Sequence, residues 1–379
     1  MRTAFTEEVD DKDLAVKELL EQLDVATLSK NSVGIIFTCV DFVDSGVIDA
    51  LRGALPFDYV GMTTMAEATD KTFGKYVLSV GVLTSDDCEF VTTMTPAITL
   101  ATYEKDIIDT YKDAKAKLGD DPKFILSFFP YVYNVSGHNL LDTLTKVSGV
   151  PVCGSVTMGD DFTYDACGSF FNGGLDKFGM TMLLVKGNVE PKFISSAFSE
   201  NKVTLTNMCG IVTKSEGCHV KTVNDIPFVK YVRECGLELT QENSTTLPLL
   251  FDLHDGANSI AVGAYKVYDD GSVMVASPIP EGSSLTFGQL SVNSINESLE
   301  SGITKIKDSG NEALILMPCV SRFSMLYPQN NSEMERLTEV FGDKPFILGY
   351  SGGEVCPVKV ASGEYVNRFH NYTFTAVVL

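Results

Sequence analysis

The residues most able to do chemistry crowd into the final stretch of the chain. A strand-like run, Ala313 to Met317, ends in Pro318-Cys319-Val320-Ser321-Arg322. A second ends in Gly349-Tyr350-Ser351-Gly352-Gly353-Glu354, followed by Cys356-Pro357, and a closing segment carries Asn367, Arg368, His370, Asn371 and Thr373. Arg322 can clamp a carboxylate through two parallel N–H bonds, or bridge to Glu354. Glu354 can hold an ammonium group, act as a base, or bond to Arg322 or a backbone amide. Gly352-Gly353 can admit a ligand close to the backbone, or simply permit a tight turn. His370 can be a metal or haem ligand, a general acid, or a structural hydrogen-bonding group. Cys319 can be a nucleophile where a helix N-terminus lowers its pKa, although no histidine stands next to it in sequence.

These clusters need elements that bring them together. Three stretches repeat one phrase of strand, short helix, strand and glycine: Val33 to Gly61, Phe124 to Gly154 and Ala313 to Gly349. Each has the length of one β-α-β crossover and is followed by a β-rich stretch, such as Tyr76 to Thr84, Gly179 to Val185 or Tyr372 to Leu379. A repeated supersecondary unit stacks around a shared core, and open α/β sheets bind ligands beyond their strand ends. The third phrase would then set Arg322, Ser351, Glu354 and the Gly352-Gly353 amides around one crevice. Amphipathic helices are expected over Asp11 to Leu23, Pro96 to Leu118 and Gly288 to Lys307, with a further helix opening at Asp225-Ile226-Pro227. Hairpins are expected over Tyr76 to Thr93 and Ile260 to Ala276, the latter turning at Asp269-Asp270-Gly271. The order hairpin, long helix, crossover recurs at 76–157 and 260–352. The fold class is therefore α/β with mixed sheets, in two similar halves built from repeated β-α-β plus hairpin units. The expected divisions are an N-terminal helix (1–28) and α/β domains over 29–200 and 201–379, with the junction in 186–206.

Composition narrows the function classes. The 379 residues are 44% apolar and 21% charged, which is the balance of a folded globular protein. A net charge of −21 repels phosphate backbones and anionic lipid heads, so neither nucleic acid nor membrane is an expected partner. Met1 to Asp13 is acidic, whereas a secretory leader begins basic and then turns apolar, so a cytoplasmic protein is expected. The nine cysteines are odd in number and widely spaced, without Cys-x-x-Cys, and read as buried thiols rather than a disulfide or zinc framework. The four histidines do not cluster. His254, between Asp252 and Asp255, reads as part of a surface turn. No phosphate loop, dinucleotide fingerprint or nucleophile elbow is present.

Cys319-x-x-Arg322, Gly349-x-x-x-Gly353-Glu354 with Pro357, and His370-Asn371-x-Thr373 resemble the C-terminal part of FIST (F-box and intracellular signal transduction) domains. Val33 to Asp87, Gly154-Ser155 and Gly210 to Gly217 resemble the N-terminal part. The resemblance implies a bacterial sensory module that binds a small metabolite such as an amino acid. Some members resemble haem-binding nitric-oxide sensors, but the residues themselves call for no cofactor and no metal. Family members sit beside output domains that this length leaves no room for, so a separate signalling protein is the implied partner. The ligand-binding residues are then Cys319, Arg322, Ser351, Gly352, Gly353, Glu354, His370 and Asn371, with none catalytic. The competing readings are an enzyme using Cys319, Glu354 and His370, and a ligand-free interaction module working through its acidic face.

Overall fold

The computed structural model describes residues 1–132, 135–160, 164–197, 209–288, 290–310 and 313–379. One structural unit occurs three times. Unit 1 comprises β1 (Arg2–Thr6), α1 (Lys12–Leu23), β2 (Asn31–Thr38), α2 (Val40–Asp44), α3 (Val47–Ala54), β3 (Tyr59–Thr63), β4 (Glu67–Thr69), β5 (Phe73–Gly74) and β6 (Leu78–Ser85). Unit 2 comprises β7 (Cys88–Met94), α4 (Tyr103–Leu118), β8 (Phe124–Phe129), α5 (Gly137–Ser148), β9 (Val152–Val156), β10 (Ser169–Phe171), β11 (Leu175–Asp176) and β12 (Thr181–Gly187). Unit 3 begins with β13 (Lys192–Ser196) and is interrupted by an inserted sheet. The insert holds β14 (Gly210–Glu216), β15 (His219–Val223), β16 (Ile226–Pro227), α6 (Phe228–Glu234), β17 (Leu249–Asp252), β18 (Ile260–Val262), β19 (Ala264–Val267), β20 (Val273–Val275) and β21 (Ser284–Phe287). Unit 3 resumes with α7 (Val292–Ser309), β22 (Leu314–Leu316), α8 (Val320–Met325), α9 (Ser332–Phe341), β23 (Phe346–Gly349), β24 (Glu354–Lys359), β25 (Tyr365–His370) and β26 (Phe374–Val378).

Each unit builds a six-stranded mixed sheet, and none builds it alone. The strand orders are β1-β6-β2-β3-β10-β11, β7-β12-β8-β9-β24-β25 and β13-β26-β22-β23-β4-β5. The three crossover pairs are parallel, with Ile36 beside Gly61, Ser127 beside Gly154 and Leu316 beside Leu348. The strand after each crossover leaves its own sheet and completes a neighbour's. β10 pairs with β3, β24 with β9, and β4 with β23, all antiparallel. The exchange runs in a closed ring, and equivalent backbone bonds mark its corners: Met158 N to Thr63 O, Gly352 N to Val156 O and Met65 N to Tyr350 O.

Alternation along the crossover strands explains the layering. Val33, Ile35 and Phe37 share one core with Leu126, Phe128, Ile315 and Met317 from the other units. The intervening Ile36, Ile125 and Leu316 face outward into three separate helix-covered cores. Both faces of each strand are thus buried, which is why these strands read as unbroken apolar runs. The Phe37 and Phe128 rings meet edge-on at 5.6 Å in the shared core.

The mixed α/β class and its repeated unit are present, in a two-part architecture of three-unit frame plus inserted sheet. Several local readings change. The Tyr76 to Thr93 segment is not a hairpin: β6 pairs with β1 and β2 while β7 pairs with β12, so the turn passes the chain between sheets. The hairpin at Asp269-Asp270-Gly271 forms, as β19 with β20, but inside the insert rather than beside a crossover. The helix expected from Pro96 starts at Tyr103, and α6 starts after Pro227, where Asp225 has φ +65° and does not cap. In the third phrase the place of Gly61 and Gly154 belongs to Leu348, so Gly349 stands one residue later than its counterparts. Part of the expected junction at 186–206 lies outside the described residues. Strands on either side of residue 200 share two sheets, β24 with β9 and β4 with β23.

Gly154 has φ +151°, and a Cβ there would lie 1.8 Å from the Ser127 carbonyl oxygen of the parallel neighbour. Gly154→Ala is expected to destabilise by about 3 kcal/mol or more, since only backbone movement relieves the clash. Gly53, inside α3 with nothing within 4 Å of the added Cβ, is the control: Gly53→Ala is expected to stabilise by up to about 1 kcal/mol. Urea denaturation of both variants distinguishes the two outcomes.

Candidate functional site

Arg322 does not face a ligand and does not bridge to Glu354. It lies in α8, is 0% exposed, and forms its ion pair with Glu333 in the first turn of α9, Nη2 to Oε1 at 2.7 Å. Nε donates to the same carboxylate, Nη1 to Ser298 Oγ at 2.7 Å, and Nη2 also to the Ile295 carbonyl. Tyr350 O–H donates to the other Glu333 oxygen at 3.0 Å. The network ties α7, α8, α9 and β23 together, and the short α8 can sit in the core only because its one cation is fully bonded. Arg322→Met is expected to cost about 3–5 kcal/mol, because it strands the Glu333 carboxylate in the core. Chemical denaturation measures the cost, and partial recovery in Arg322→Met with Glu333→Leu marks it as a charge effect.

Glu354 opens β24, opposite Ser155, and is completely buried. One oxygen accepts from Thr373 N at 3.1 Å and Thr373 Oγ1 at 2.8 Å. The other has no hydrogen-bond partner, and neither does the buried Ser351 Oγ. Burial pushes the Glu354 carboxyl up to about 8, against the opposing pull of its bonds from Thr373, of the neighbouring Cys319 thiol and of the Arg322 charge. Cys319 is the N-cap of α8 and bridges in parallel to Ser351. Burial, reinforced by Glu354, raises its thiol pKa, the reverse of what a thiolate nucleophile requires. His370 lies opposite Glu354 across β24 and β25. Its Nε2 bonds to the Cys356 carbonyl at 3.3 Å, and burial pulls it down to about 4, leaving a neutral ring. Asn371 ties the frame to the insert: its N–H donates to Ala261 O and its Oδ1 accepts from Gly263 N.

Four tyrosines cluster in this region, with Tyr164 and Tyr372 within electrostatic reach of the carboxyl. Tyr265 of the insert is 42% exposed and Tyr131 47%. Tyr131 stacks on Tyr164 at 4.2 Å, and Tyr164 O–H donates to the Gly352 carbonyl at 3.3 Å. Burial raises the Tyr164 phenol, with Cys319 and Glu354 within electrostatic reach. Tyr372, 3% exposed, is raised in the same way beside Cys319 and Glu354, and its O–H donates to Thr245 O. Burial raises Tyr265 too, with Tyr164, Cys218, Tyr372 and Tyr131 as its charged-state neighbours. A Cβ at Gly352 would lie 2.7 Å from the Tyr164 hydroxyl, so this glycine is required for the phenol's approach. Gly353 makes room for the Phe369 ring.

The sequence picked out Glu354, Cys319, Ser351 and the glycines but not these tyrosines, whose positions follow no common spacing. It also passed over Glu67. Glu67 lies opposite Gly349 as Glu354 lies opposite Ser155, and Cys39 caps α2 as Cys319 caps α8. Unit 1 thus repeats the buried Cys–Glu arrangement. Burial raises the Glu67 carboxyl well above the usual range, one oxygen accepts from Thr64, and the other is unpartnered. In unit 2 the corresponding strand position is Ser169, opposite Met62. All nine cysteines are free thiols. Among the described residues, no group of three or more His, Cys, Asp or Glu could hold a metal ion, and no helix is long and apolar enough to cross a membrane. His254 sits in an exposed turn, its N–H donating to Asp252.

The chain matches the FIST N domain over residues 32–226 and the FIST C domain over 228–357. It belongs to the FIST family, whose domains are associated with signal transduction and sensing. No curated protein sequence matches it. A solved structure of cyanuric acid hydrolase is similar at 8% identity and a TM-score of 0.30, over 68% of this chain and 83% of that one.

Glu354 takes up its proton more strongly folded than unfolded. Its share of stability is therefore fully present below about pH 4.5 and is lost as pH rises to about 8. Glu354→Gln is expected to flatten that decline, seen as a smaller fall in melting temperature between pH 5 and pH 8.5 than in the wild type. An unchanged slope would show that the carboxyl is not held protonated.

Proposed function

We propose that this FIST protein is a sensor whose small-molecule ligand enters between Tyr131, Tyr164, Tyr265 and Tyr372 and ends at Glu354. The observation that carries the reading is the pair of fully buried, unpartnered oxygens, Glu354 Oε1 and Ser351 Oγ, at the inner end of the tyrosines. Buried polar groups are ordinarily bonded, so these two are matched to a donor that arrives from outside. Phenol faces attract ammonium groups, and a carboxyl that ionises near pH 8 becomes their counter-ion. The ligand class is a small ammonium-bearing metabolite, amino acids included. Cys319, Gly352 and Gly353 shape the inner end, and His370 and Asn371 hold the adjoining strand and insert. Arg322 contributes through the Glu333 network rather than by contact. The cell-biological setting proposed is cytoplasmic and bacterial, with a separate signalling protein reading the bound state.

Calorimetric titration with amino acids and their decarboxylated amines tests the reading. Binding is expected to strengthen from pH 6.5 to pH 8.5 with release of a proton, because the ligand cation favours the ionised carboxyl. Glu354→Gln and Tyr265→Ala are each expected to weaken it by roughly tenfold or more. Absence of binding by every amine, or binding unaffected by both substitutions, would overturn it.

A further inference from the structure

A cavity lies between α5, β25 and the insert. It measures about 520 Å³, and apolar side chains including Leu141, Val150, Ile260 and Phe369 line it together with Arg368. A volume of this size accommodates a small metabolite. Phe369 separates it from the Glu354 site, since the same ring packs against Gly137 and Gly353.

Arg368 is the cation of this cavity, whose wall also carries His138, Thr145, Ser277 and the Asp142 and Asp255 carboxylates. It is 7% exposed, its Nη2 donates to the Asp255 carboxylate, and its Nη1 has no hydrogen-bond partner. A buried guanidinium N–H without an acceptor costs free energy that a bound acceptor recovers. The surrounding charge says which kind. Asp255 already pairs with Arg368, and Asp252 is also within electrostatic reach of it. Asp142 on the cavity wall is paired with Lys146 at 2.5 Å. An incoming carboxylate would therefore meet two carboxylates around a cation that is already neutralised. A neutral carbonyl oxygen accepts the spare N–H without adding charge. Asn367 leaves no other free donor on this stretch of β25, because its amide accepts from Val152 N and donates to Thr145 Oγ1 and Val150 O.

We propose that this cavity is a second binding site, for a compact and mainly apolar molecule that presents an uncharged carbonyl oxygen to Arg368 Nη1. The site is independent of the Glu354 site and takes ligands of opposite character, neutral and apolar rather than cationic.

The test is an NMR titration of the full chain with phenylacetamide and, as its charged counterpart, phenylacetate. The amide is expected to bind in roughly the millimolar range for a molecule of this size, with phenylacetate weaker by about tenfold or more. Arg368→Met is expected to weaken the amide by about tenfold. Val366→Trp adds bulk at a lining position that is itself 42% exposed, where the fold tolerates change, and is expected to abolish binding. Glu354→Gln is expected to leave it unchanged. The proposal is overturned if the amide fails to bind at about ten times its expected constant, if binding survives Val366→Trp, or if the acid binds as tightly as the amide.

Discussion

The structure depends on an exchange of strands that no unit can refuse. After each crossover the chain leaves its own sheet, and the edge it exposes is covered by a strand from another unit: β10 on β3, β24 on β9, β4 on β23. An uncovered edge would present unpaired N–H and C=O groups beside a buried core. Each unit therefore folds completely only when its neighbours have supplied their strands, and the three inner faces close on one shared core. Gly154 shows how tight this closure is, since a single methyl group there meets the parallel strand's carbonyl.

The candidate site is a by-product of that exchange. Glu354 opens the strand that unit 3 lends to unit 2, and Glu67 opens the strand that unit 1 lends to unit 3. Both carboxyls are carried inward because their strands must reach another sheet, and burial raises both above the ordinary carboxyl range. Unit 3 alone carries a large insert. Tyr265 of that insert stands within electrostatic reach of Tyr131 and Tyr164 of unit 2, and Tyr372 O–H is held by Thr245 O. One copy of a repeated buried pair thereby gains aromatic neighbours that the units by themselves do not supply.

Arg322 illustrates how a motif can be correctly located and still play another part. In sequence it looks as suited to a ligand as to a bridge. In the fold it is saturated by Glu333, Ser298 and a main-chain carbonyl, with Tyr350 completing the carboxylate's bonds. A buried guanidinium needs several acceptors at once, and these come from α7 and α9, elements that share no local pattern with it.

What the residues settle by themselves is local. Alternation and apolar runs mark the crossover strands, Asp11 caps α1, Ser291 and Ser294 form the box that starts α7, and the three phrases announce a repeated unit. Those features rest on contacts within a few residues, which spacing records directly. Tertiary structure alone decides that β6 and β7 part company, that Leu348 rather than Gly349 matches Gly61 and Gly154, that Arg322 meets Glu333, and that tyrosines from Tyr131 to Tyr372 gather near Glu354. Backbone hydrogen bonding between strands is indifferent to side-chain identity, so a strand's neighbour is chosen by the packing of the whole assembly and leaves no mark in the strand itself.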